Sequence, residues 1–451
     1  MKVLLIKPKT KLESSVISKA ESLLPPAGLL YIASSLRKAN HTVEFLDMDF
    51  DCNLQGILDS FKPDWIGITS TTPSFPYAME VVKKLKSMTS VPIVLGGVHA
   101  SSLGGRLLEK YKHLDFVVRG EGEQAMVDLV DGKPPASIPG VCYRNNDQII
   151  EKDMTYIDDL NTLPFPARDL TFKYKYRDSP LYRRTEKHAT ILFSRGCVHK
   201  CIFCDYQTRG RPRFRSAENI LTELKEAYAQ GLSDFRILDE FFTMNRPLVK
   251  AICEGIVESG MKITWNCQTR ADALNEEMII MMKKAGCWGI QIGVETGSPR
   301  VMELIHKKLD LNKVPDVVKL LKKHGMFTTC FFMIGFPFET MEDIEKTISY
   351  SRALDCDMVT YSRVTPFPAT DLWPLSGLDE FDETTLKKLG IFSNEGYFLK
   401  ELDLPKIFSR AIRSFYWRPK IFYRLLKEAC LHGSFKRRIE YLQVLLQGSH
   451  L

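Results

Sequence analysis

Short apolar runs alternate with segments of helical periodicity along the first 131 residues. Strands are expected at residues 2–6, 42–46, 65–69, 91–95 and 116–118, and helices at 27–39, 53–61, 77–88 and 123–130. Continuous apolar strands separated by amphipathic helices indicate a parallel sheet that is covered on both faces. The pattern therefore predicts an α/β fold that begins with a doubly wound, Rossmann-like domain over residues 1–131.

A second series of strand–helix units follows a connector. The connector, 132–187, contains an expected hairpin at 138–143 and 148–152 and a proline-rich linker at 160–168. Six strands are then expected at 189–194, 234–239, 262–267, 288–294, 326–334 and 358–364, with amphipathic helices between them. Such repeats predict a TIM-type barrel, or part of one, over 188–375, with ligands at the carboxyl ends of its strands. Residues 376–451 are expected to be helical.

Composition limits the class of protein. Of 451 residues, 44% are hydrophobic and 26% are charged, as in ordinary soluble domains. The net charge of +7 suits anionic ligands but does not indicate nucleic-acid binding. The N-terminal apolar run is too short for a signal peptide, and no apolar stretch has the length of a membrane span. We therefore expect a cytoplasmic protein, in which the 11 cysteines do not form a disulfide framework.

Three cysteines are closely spaced just after the first barrel strand. Cys197, Cys201 and Cys204 form the pattern C-x3-C-x2-C. Thiolates at this spacing can converge on zinc or on an iron–sulfur cluster, and a cube held by three cysteines leaves one iron open. Two other interpretations are a structural Cys3His zinc site completed by His199 and a set of unrelated buried thiols.

Polar residues follow the strands of both predicted domains. The barrel strands end near Asp239, Glu240, Gln268, Arg270, Glu295 and Ser298. Carboxylates there can accept hydrogen bonds from an amine or a ribose, and a guanidinium can bind a carboxylate, although each residue alone could simply form a salt bridge. The strands of the first domain end near Thr69, Ser70, Thr71, Ser74, Gly96, Gly97, His99, Gly120 and Glu121. Glycines allow close approach of backbone to a ligand, although each could also serve only a tight turn.

The segment from Arg195 to Cys204 resembles the cluster loop of the radical S-adenosylmethionine superfamily. The resemblance implies a 4Fe–4S cluster on the three cysteines and a partial barrel of six units. In that family, the open iron binds the amine and carboxylate of S-adenosylmethionine, which is cleaved to a 5′-deoxyadenosyl radical. It further implies that Asp239 or Glu240 meets the amine, that Arg270 meets the carboxylate, and that Glu295, Ser298, Gln268 and Phe203 contact the cofactor.

The first domain is similar to the cobalamin-binding domain that precedes the barrel in many of these enzymes. The matching segments are Pro25 to Ala33, Leu46 to Asp49, the hydroxyl residues after Thr69, and the glycine-rich strand ends already named. The D-x-H-x-x-G motif, which supplies a histidine to cobalt in other cobalamin proteins, is absent from this sequence. The resemblance therefore implies cobalamin bound base-off, with His99 near the nucleotide or the corrin edge.

Together these resemblances imply a cobalamin-dependent methyltransferase that acts on an unactivated carbon of a small-molecule, lipid or peptide substrate. Electrons would come from an external donor such as flavodoxin or ferredoxin. Radical cyclisation, oxidation or ring contraction with the same cofactors is an alternative, as are a transfer-RNA methylthiotransferase and a non-catalytic zinc and cobalamin sensor. A second N-terminal cysteine trio, expected of the methylthiotransferase, is absent.

The C-terminal region is basic and aromatic, with Arg410, Arg413, Trp417, Tyr423 and Arg424 close together in sequence. We interpret it as a helical cap over the barrel mouth. A helix lying on a membrane surface is the alternative.

Overall fold

A computed structural model describes residues 1–10, 22–179, 181–389 and 396–431. The last 20 residues of the predicted C-terminal region therefore lie outside the described residues. No helix in the described part of the chain is both long enough and apolar enough to cross a bilayer.

The first domain is built on a parallel sheet. Its strands are β1 (Lys2–Lys7), β2 (Thr42–Asp47), β3 (Trp65–Thr69), β4 (Ile93–Gly96) and β5 (Phe116–Val118), in the order β2-β1-β3-β4-β5. The helices are α1 (Ala27–Lys38), α2 (Leu54–Phe61), α3 (Phe75–Met88), α4 (Val98–Leu103), α5 (Gly105–Lys110) and α6 (Gly122–Val130). The strand order reverses between β1 and β3. Because ligands of doubly wound sheets bind at such a switch point, we expect a ligand-binding site at this edge of the sheet.

The predicted hairpin belongs to this sheet rather than to a separate connector. Its strands, β6 (Val141–Asn145) and β7 (Gln148–Glu151), are antiparallel to each other, and β6 also pairs antiparallel with β5. Alternation in a hairpin indicates that its two strands pair with each other, but it does not identify a third strand as their neighbour. The sequence therefore predicts the hairpin but does not predict that the hairpin extends the parallel sheet.

The second domain is the predicted partial barrel. Its parallel strands are β8 (His188–Ile191), β11 (Asp234–Ile237), β12 (Thr264–Thr269), β13 (Cys287–Glu295), β14 (Phe327–Ile334) and β15 (Met358–Arg363), hydrogen-bonded in that order. Between β8 and β11, the short strands β9 (Ser194–Arg195) and β10 (Arg213–Phe214) pair antiparallel and flank the cysteine loop. The predicted strand 189–194 is thus interrupted. The fold class, a Rossmann-like sheet followed by a six-unit partial barrel and C-terminal helices, is confirmed.

Helices connect the strands of the barrel. They are α7 (Tyr206–Arg209), α8 (Ala217–Ala229), α9 (Arg246–Glu258), α10 (Glu276–Lys284), α11 (Pro299–Leu304), α12 (Val314–Lys323) and α13 (Met341–Ala353). Thr340 and Asp343 form a capping box at the start of α13, as their spacing predicts. The box fixes the point at which the loop after β14 turns into a helix.

The C-terminal helices pack on the side of the barrel. After α14 (Trp373–Ser376) and α15 (Glu383–Lys388), α16 (Leu404–Tyr416) lies against β15 and α13, and α17 (Pro419–Leu431) follows it. The hydroxyl of Tyr416 donates to the Val359 carbonyl, and Arg410 pairs with Glu345. In the described residues, α16 therefore covers the edge beside β15, and the cap over the barrel mouth stays a prediction. Amphipathicity predicts that a helix packs on the protein, but not which surface it covers.

Candidate active site

The three cysteines lie in one loop between β9 and α7. Cys201 is buried, and Cys197 and Cys204 are partly buried. The amide of Cys204 donates to the Cys201 carbonyl over 2.9 Å, and the Ile202 amide donates to Ile305 over 3.2 Å, which holds the loop against the end of α11. Burial raises the pKa of the Cys204 thiol to about 11 and also raises that of Cys201. Because metal binding deprotonates thiols, a metal centre would reverse these shifts.

The geometry of these thiols does not match a single zinc ion. Among the described residues, no three His, Cys, Asp or Glu side chains are close enough to hold one metal ion. A zinc site needs four ligands around one point, whereas the thiolates of an iron–sulfur cube each bind a different iron. The His199 ring lies 5.8 Å from that of Phe241, centroid to centroid. The donor set fits a cube held by three cysteines better than a Cys3His zinc site.

Gly196 shapes the entrance to the loop. Its φ is +86°, and a Cβ at this position would lie 2.5 Å from the Arg211 carbonyl oxygen. Any side chain here would be strained by the positive φ and would also clash with backbone. A glycine before Cys197 is therefore required for the loop to turn between β9 and the first cysteine.

Asp239 and Glu240, at the end of β11, have different environments. Asp239 is buried, and its carboxylate accepts hydrogen bonds from the amide of Phe193 and the hydroxyl of Ser194. Burial raises its pKa to about 7. Glu240 accepts from Arg209 Nη1 over 3.0 Å through Oε1, while its buried Oε2 has no hydrogen-bond partner among the described residues. Of the two carboxylates, Glu240 is the one with an oxygen available to a ligand.

Arg270 is held by the protein. Its guanidinium donates to both oxygens of Asp272, at 2.9 and 2.6 Å, and to the carbonyls of Lys307 and Lys308, at 2.8 and 3.2 Å. The arrangement differs from the expected contact with a ligand carboxylate. It fixes the segment after α11, in which Lys308 has a φ of +53°. This strained backbone is the kind that surrounding contacts must hold in place.

Glu295 and Lys307 form a buried ion pair beside the cysteine loop. Lys307 Nζ lies 2.6 Å from Glu295 Oε1, and 5.9 Å from the centre of the Phe203 ring. Both side chains are about nine-tenths buried, so the pair is shielded from solvent. Glu295 has a φ of +72°, which is uncommon for a non-glycine residue. A strained carboxylate at a strand end, balanced by a buried lysine, indicates a functional position.

The two other predicted barrel residues differ in exposure. Gln268 is exposed at the end of β12. Ser298 is fully buried, caps α11 by accepting from the Val301 amide, and donates to Asp343 Oδ1 over 2.6 Å. Ser298 therefore shapes the loop after β13 rather than presenting its hydroxyl to the barrel mouth.

Arg195 joins the cysteine loop to the first domain. Its guanidinium lies 2.7 Å from Glu123 Oε1 and 3.1 Å from Glu121 Oε1, and packs over the Tyr31 ring at 5.1 Å. Burial opposes the arginine charge, but the two carboxylates outweigh it and raise the pKa of Arg195. Burial alone would raise the pKa of Glu121, yet the hydrogen bond from Arg213 and the charge of Arg195 lower it below its ordinary value. The carboxyl edge of the sheet and the barrel mouth are thus fixed face to face.

A cavity of about 310 Å³ lies between these two edges. Its apolar end is formed in part by Leu5, Val94 and Met126, and its barrel side by Arg195 and Glu240. It opens at the switch point between β1 and β3. Of the predicted strand-end residues of the first domain, Thr69, Gly96, Gly97, Gly120 and Glu121 line it.

Glycines leave room in this cavity. A Cβ at Gly28, in α1, would meet nothing within 4 Å, and one at Gly96 would meet only the Val118 carbonyl, at 4.0 Å. Both positions would therefore place a side chain into the cavity. Gly97 differs, because its φ is +95° and a Cβ there would lie 2.4 Å from the Ser70 carbonyl oxygen. Gly97 is required by the backbone turn itself, and a side chain at Gly97 would not test ligand binding.

The remaining predicted residues of the first domain do not line the cavity; Thr71 is exposed, and the other three are buried. Thr71 and Ser74 bond each other, with Ser74 Oγ accepting from the Thr71 amide over 2.9 Å. Ser70 is buried and its amide donates to Gly96. His99 is fully buried, packs on Phe75 at 4.2 Å, and has a pKa lowered to about 3 by burial. These four residues do not line the cavity, and the position of His99 near the nucleotide or the corrin edge stays a prediction.

Comparisons with known proteins match both halves of the molecule. The model of the radical SAM superfamily matches residues 191–350, and that of the B12 binding domain matches residues 13–130. An uncharacterized methyltransferase of Pyrococcus horikoshii is 32% identical over 98% of each chain. This chain belongs to the cobalamin-binding radical S-adenosylmethionine enzymes. The resident cofactors of the family are a 4Fe–4S cluster, S-adenosylmethionine and cobalamin.

Two further members of this family are similar along most of their length. The hopanoid C-3 methylase of Methylococcus capsulatus is 26% identical over 92% of this chain and 79% of its own. The structure of the radical S-adenosylmethionine methyltransferase TsrM from Kitasatospora setae, with cobalamin and a 4Fe–4S cluster bound, aligns with a TM-score of 0.74. It covers 100% of this chain at 17% identity. That structural likeness shows that the two-domain fold is shared.

The structure also reveals site residues that sequence reasoning missed. Arg195 belongs to the cluster-loop motif and Tyr31 to the segment that resembles a cobalamin domain, but the resemblance gives neither of them a role, and Arg209 belongs to no motif. Gly28 lies inside the segment that resembles a cobalamin domain, but nothing in a helical glycine shows that it borders a cavity. The available signal for Arg195 was a basic residue two positions before a ligand cysteine. The signal for Glu121 and Glu123 was a pair of acidic residues after a glycine at a sheet edge.

Proposed function

We propose that this enzyme transfers a methyl group to an unactivated carbon of a small-molecule, lipid or peptide substrate. The observation that carries the proposal is the cavity in which the sheet edge and the barrel mouth face each other. Two cofactors that act on one substrate must share such a space. When bound, the family's cofactors supply a 5′-deoxyadenosyl radical and a methyl group on cobalt. The methyltransferases among the relatives support this outcome over the alternatives.

The chain's own residues have distinct tasks in this proposal. Cys197, Cys201 and Cys204 hold the cluster, and Glu240 accepts from the amine of S-adenosylmethionine through its unpartnered oxygen. Glu295 and Lys307 order the inner wall beside Phe203. Arg270 positions the segment after α11 instead of binding the cofactor carboxylate directly.

The cavity in the first domain suits one end of cobalamin. Its volume matches a drug-sized group rather than the whole cofactor. We infer that the nucleotide end enters between the glycines Gly28 and Gly96, while the corrin lies at the mouth toward Arg195. A histidine ligand to cobalt is not proposed, because His99 is enclosed by Phe75 and Thr72.

A radical S-adenosylmethionine enzyme uses a reductant as well as a substrate. We propose flavodoxin or ferredoxin as the electron donor. The cytoplasm is our proposal for where the enzyme works, since an oxygen-sensitive cluster and free thiols suit a reducing compartment. If the substrate is a lipid, we propose that the enzyme contacts the membrane surface peripherally, without a membrane-spanning helix.

Anaerobic reconstitution of cysteine variants tests the cluster assignment. Cys197→Ala, Cys201→Ala and Cys204→Ala should each lose iron–sulfur absorbance and 5′-deoxyadenosine formation, because each thiolate is one of only three ligands. Cys52→Ala, which changes an exposed thiol remote in sequence, is the matched control and should keep both. Full reductive cleavage by any one of the three ligand variants would contradict the assignment.

A further inference from the structure

A shallow depression lies on the outer surface of the cysteine loop. Its volume is about 410 Å³, and it is lined by Val198, Pro212, Phe214, Met244, Asn245, Arg246 and Pro247. None of these residues lines the cavity between the two domains. The depression is therefore a second concave surface beside the cluster site, and it is open to solvent where the first is enclosed by both domains.

The centre of this depression is apolar and belongs to the cluster loop. Val198 directly follows the ligand Cys197, and its exposed fraction is 58%. Together with Pro212, Phe214, Met244 and Pro247, Val198 forms an apolar surface next to the thiolates. Exposed apolar patches rimmed by polar residues are typical of protein–protein contacts.

The rim is cationic. Lys200, which lies between Cys197 and Cys201 in the same loop, is exposed, as is Arg246 at the start of α9. In the described part of the chain, Lys200 has no carboxylate within ion-pair distance, and Arg246 donates to the Ala273 carbonyl. The nearby Arg270 is neutralised by Asp272. The rim therefore carries an excess of positive charge.

We propose that this surface, called here the donor face (Val198, Lys200, Pro212, Phe214, Met244 and Arg246), docks an acidic one-electron carrier protein. The inference rests on the proposed function, because it requires a cluster on the cysteine loop. An apolar centre with a charged rim suits a small, transient interface, and opposite charges speed encounter. One electron leaves the reduced carrier, which is oxidised, and enters the cluster, which is reduced. No bond forms or breaks in this step.

Charge reversal at the rim tests the donor face. Arg246→Glu and Lys200→Glu, prepared with reconstituted cluster, are compared with the parent enzyme in 5′-deoxyadenosine formation. The assay is run with increasing concentrations of reduced flavodoxin, an acidic flavoprotein, and separately with dithionite. We expect the KM for flavodoxin to rise about tenfold in each variant. The rate with dithionite should remain as in the parent, because a small reductant needs no docking surface.

The controls separate docking from other effects. Lys225→Glu and Lys284→Glu reverse exposed charges on α8 and α10, and both should leave the KM for flavodoxin unchanged. Iron content and cluster absorbance show whether Lys200→Glu disturbs the cysteine loop. If Lys200→Glu disturbs the loop, the test rests on Arg246→Glu, because Arg246 lies outside the loop. An unchanged KM in Arg246→Glu would overturn the donor face. A parent enzyme that does not cleave S-adenosylmethionine even with dithionite would instead contradict the proposed function.

Discussion

Arg195 Nη2 lies 2.7 Å from Glu123 Oε1, which joins the cysteine loop of the barrel to the helix that follows the last parallel strand of the first domain. The two side chains are 17% and 5% exposed. Since Arg195 is two residues before Cys197, this ion pair fixes the cluster loop relative to the sheet edge. The relative position of two cofactor sites in different domains thus depends on a contact between residues 72 positions apart.

Breaking this contact should destabilise the enzyme. Removing one partner of a buried ion pair leaves the other charge desolvated, so Arg195→Ala should lower the free energy of unfolding by about 3 kcal/mol. Calorimetric melting of the anaerobic protein measures the change. The control is Arg37→Ala, whose partner Asp169 is exposed, and its loss should be below about 1 kcal/mol. If Arg195→Ala melts like the control, the contact does not hold the domains together.

A side-chain series at Gly28 tests the cobalamin cavity. Gly28→Ala should still bind cobalamin, because a Cβ there meets no atom within 4 Å. Gly28→Phe should abolish binding by filling the cavity, while iron incorporation stays normal. Titration with cobalamin under anaerobic conditions, followed by absorbance, distinguishes the two. Normal cobalamin binding by Gly28→Phe would show that the cofactor lies elsewhere.

The two adjacent carboxylates at the end of β11 should respond differently to amidation. Glu240→Gln should weaken S-adenosylmethionine binding by about 1.5–3 kcal/mol, the scale of a hydrogen bond to a charged group. Asp239→Asn should mainly affect stability, because its oxygens accept from Phe193 and Ser194. Isothermal calorimetry with the reconstituted variants gives both affinities. Equal affinities for the parent and Glu240→Gln would remove Glu240 from the cofactor site.

Glu339 should make stability depend on pH. Its Oε2 accepts from the amides of Gly335 and Phe336, its Oε1 has no partner among the described residues, and burial raises its pKa to about 7. The folded protein therefore keeps a proton that the unfolded chain releases near its ordinary pKa. The stability from this proton is complete below that ordinary pKa and is lost as the pH rises to about 7.

The matched variant is Glu339→Gln, which keeps the shape of the side chain and cannot ionise. The Tm of the parent relative to this variant should fall between pH 5 and pH 7.5, with a free-energy change on the order of 3 kcal/mol. Asp239 contributes a change of the same sign in both proteins, so it cancels in the comparison. A constant Tm difference across this range would show that Glu339 is already ionised at low pH.

Much of the fold could be predicted from periodicity, whereas side-chain direction could not. Alternating apolar strands and amphipathic helices predict both domains, and the cysteine spacing predicts the cluster loop. The pattern places His99 and Ser298 at strand ends, but their rings and hydroxyls turn inward to Thr72 and Asp343. A strand end fixes where a residue lies; only its tertiary neighbours decide whether it faces a ligand.

The same limit applies to charged residues. Lys307 follows a helix in a run of basic residues, which suggests solvent exposure, yet it is buried against Glu295. Arg270 was expected to bind a carboxylate and does so, but that carboxylate belongs to Asp272, two residues away. The sequence indicates which chemical group a charged residue will bind. It does not indicate whether that group belongs to a ligand or to a nearby residue of the protein.

The most direct test of the central claim is the fate of a labelled methyl group. Reconstituted enzyme with cobalamin and a chemical reductant is incubated anaerobically with S-adenosylmethionine that carries a trideuterated methyl group and with cell-extract metabolites. Mass spectrometry then follows 5′-deoxyadenosine, S-adenosylhomocysteine and new products. The account predicts a product that contains the labelled methyl group, together with both nucleosides in equal amounts. Formation of 5′-deoxyadenosine and a product without the label would contradict methyl transfer.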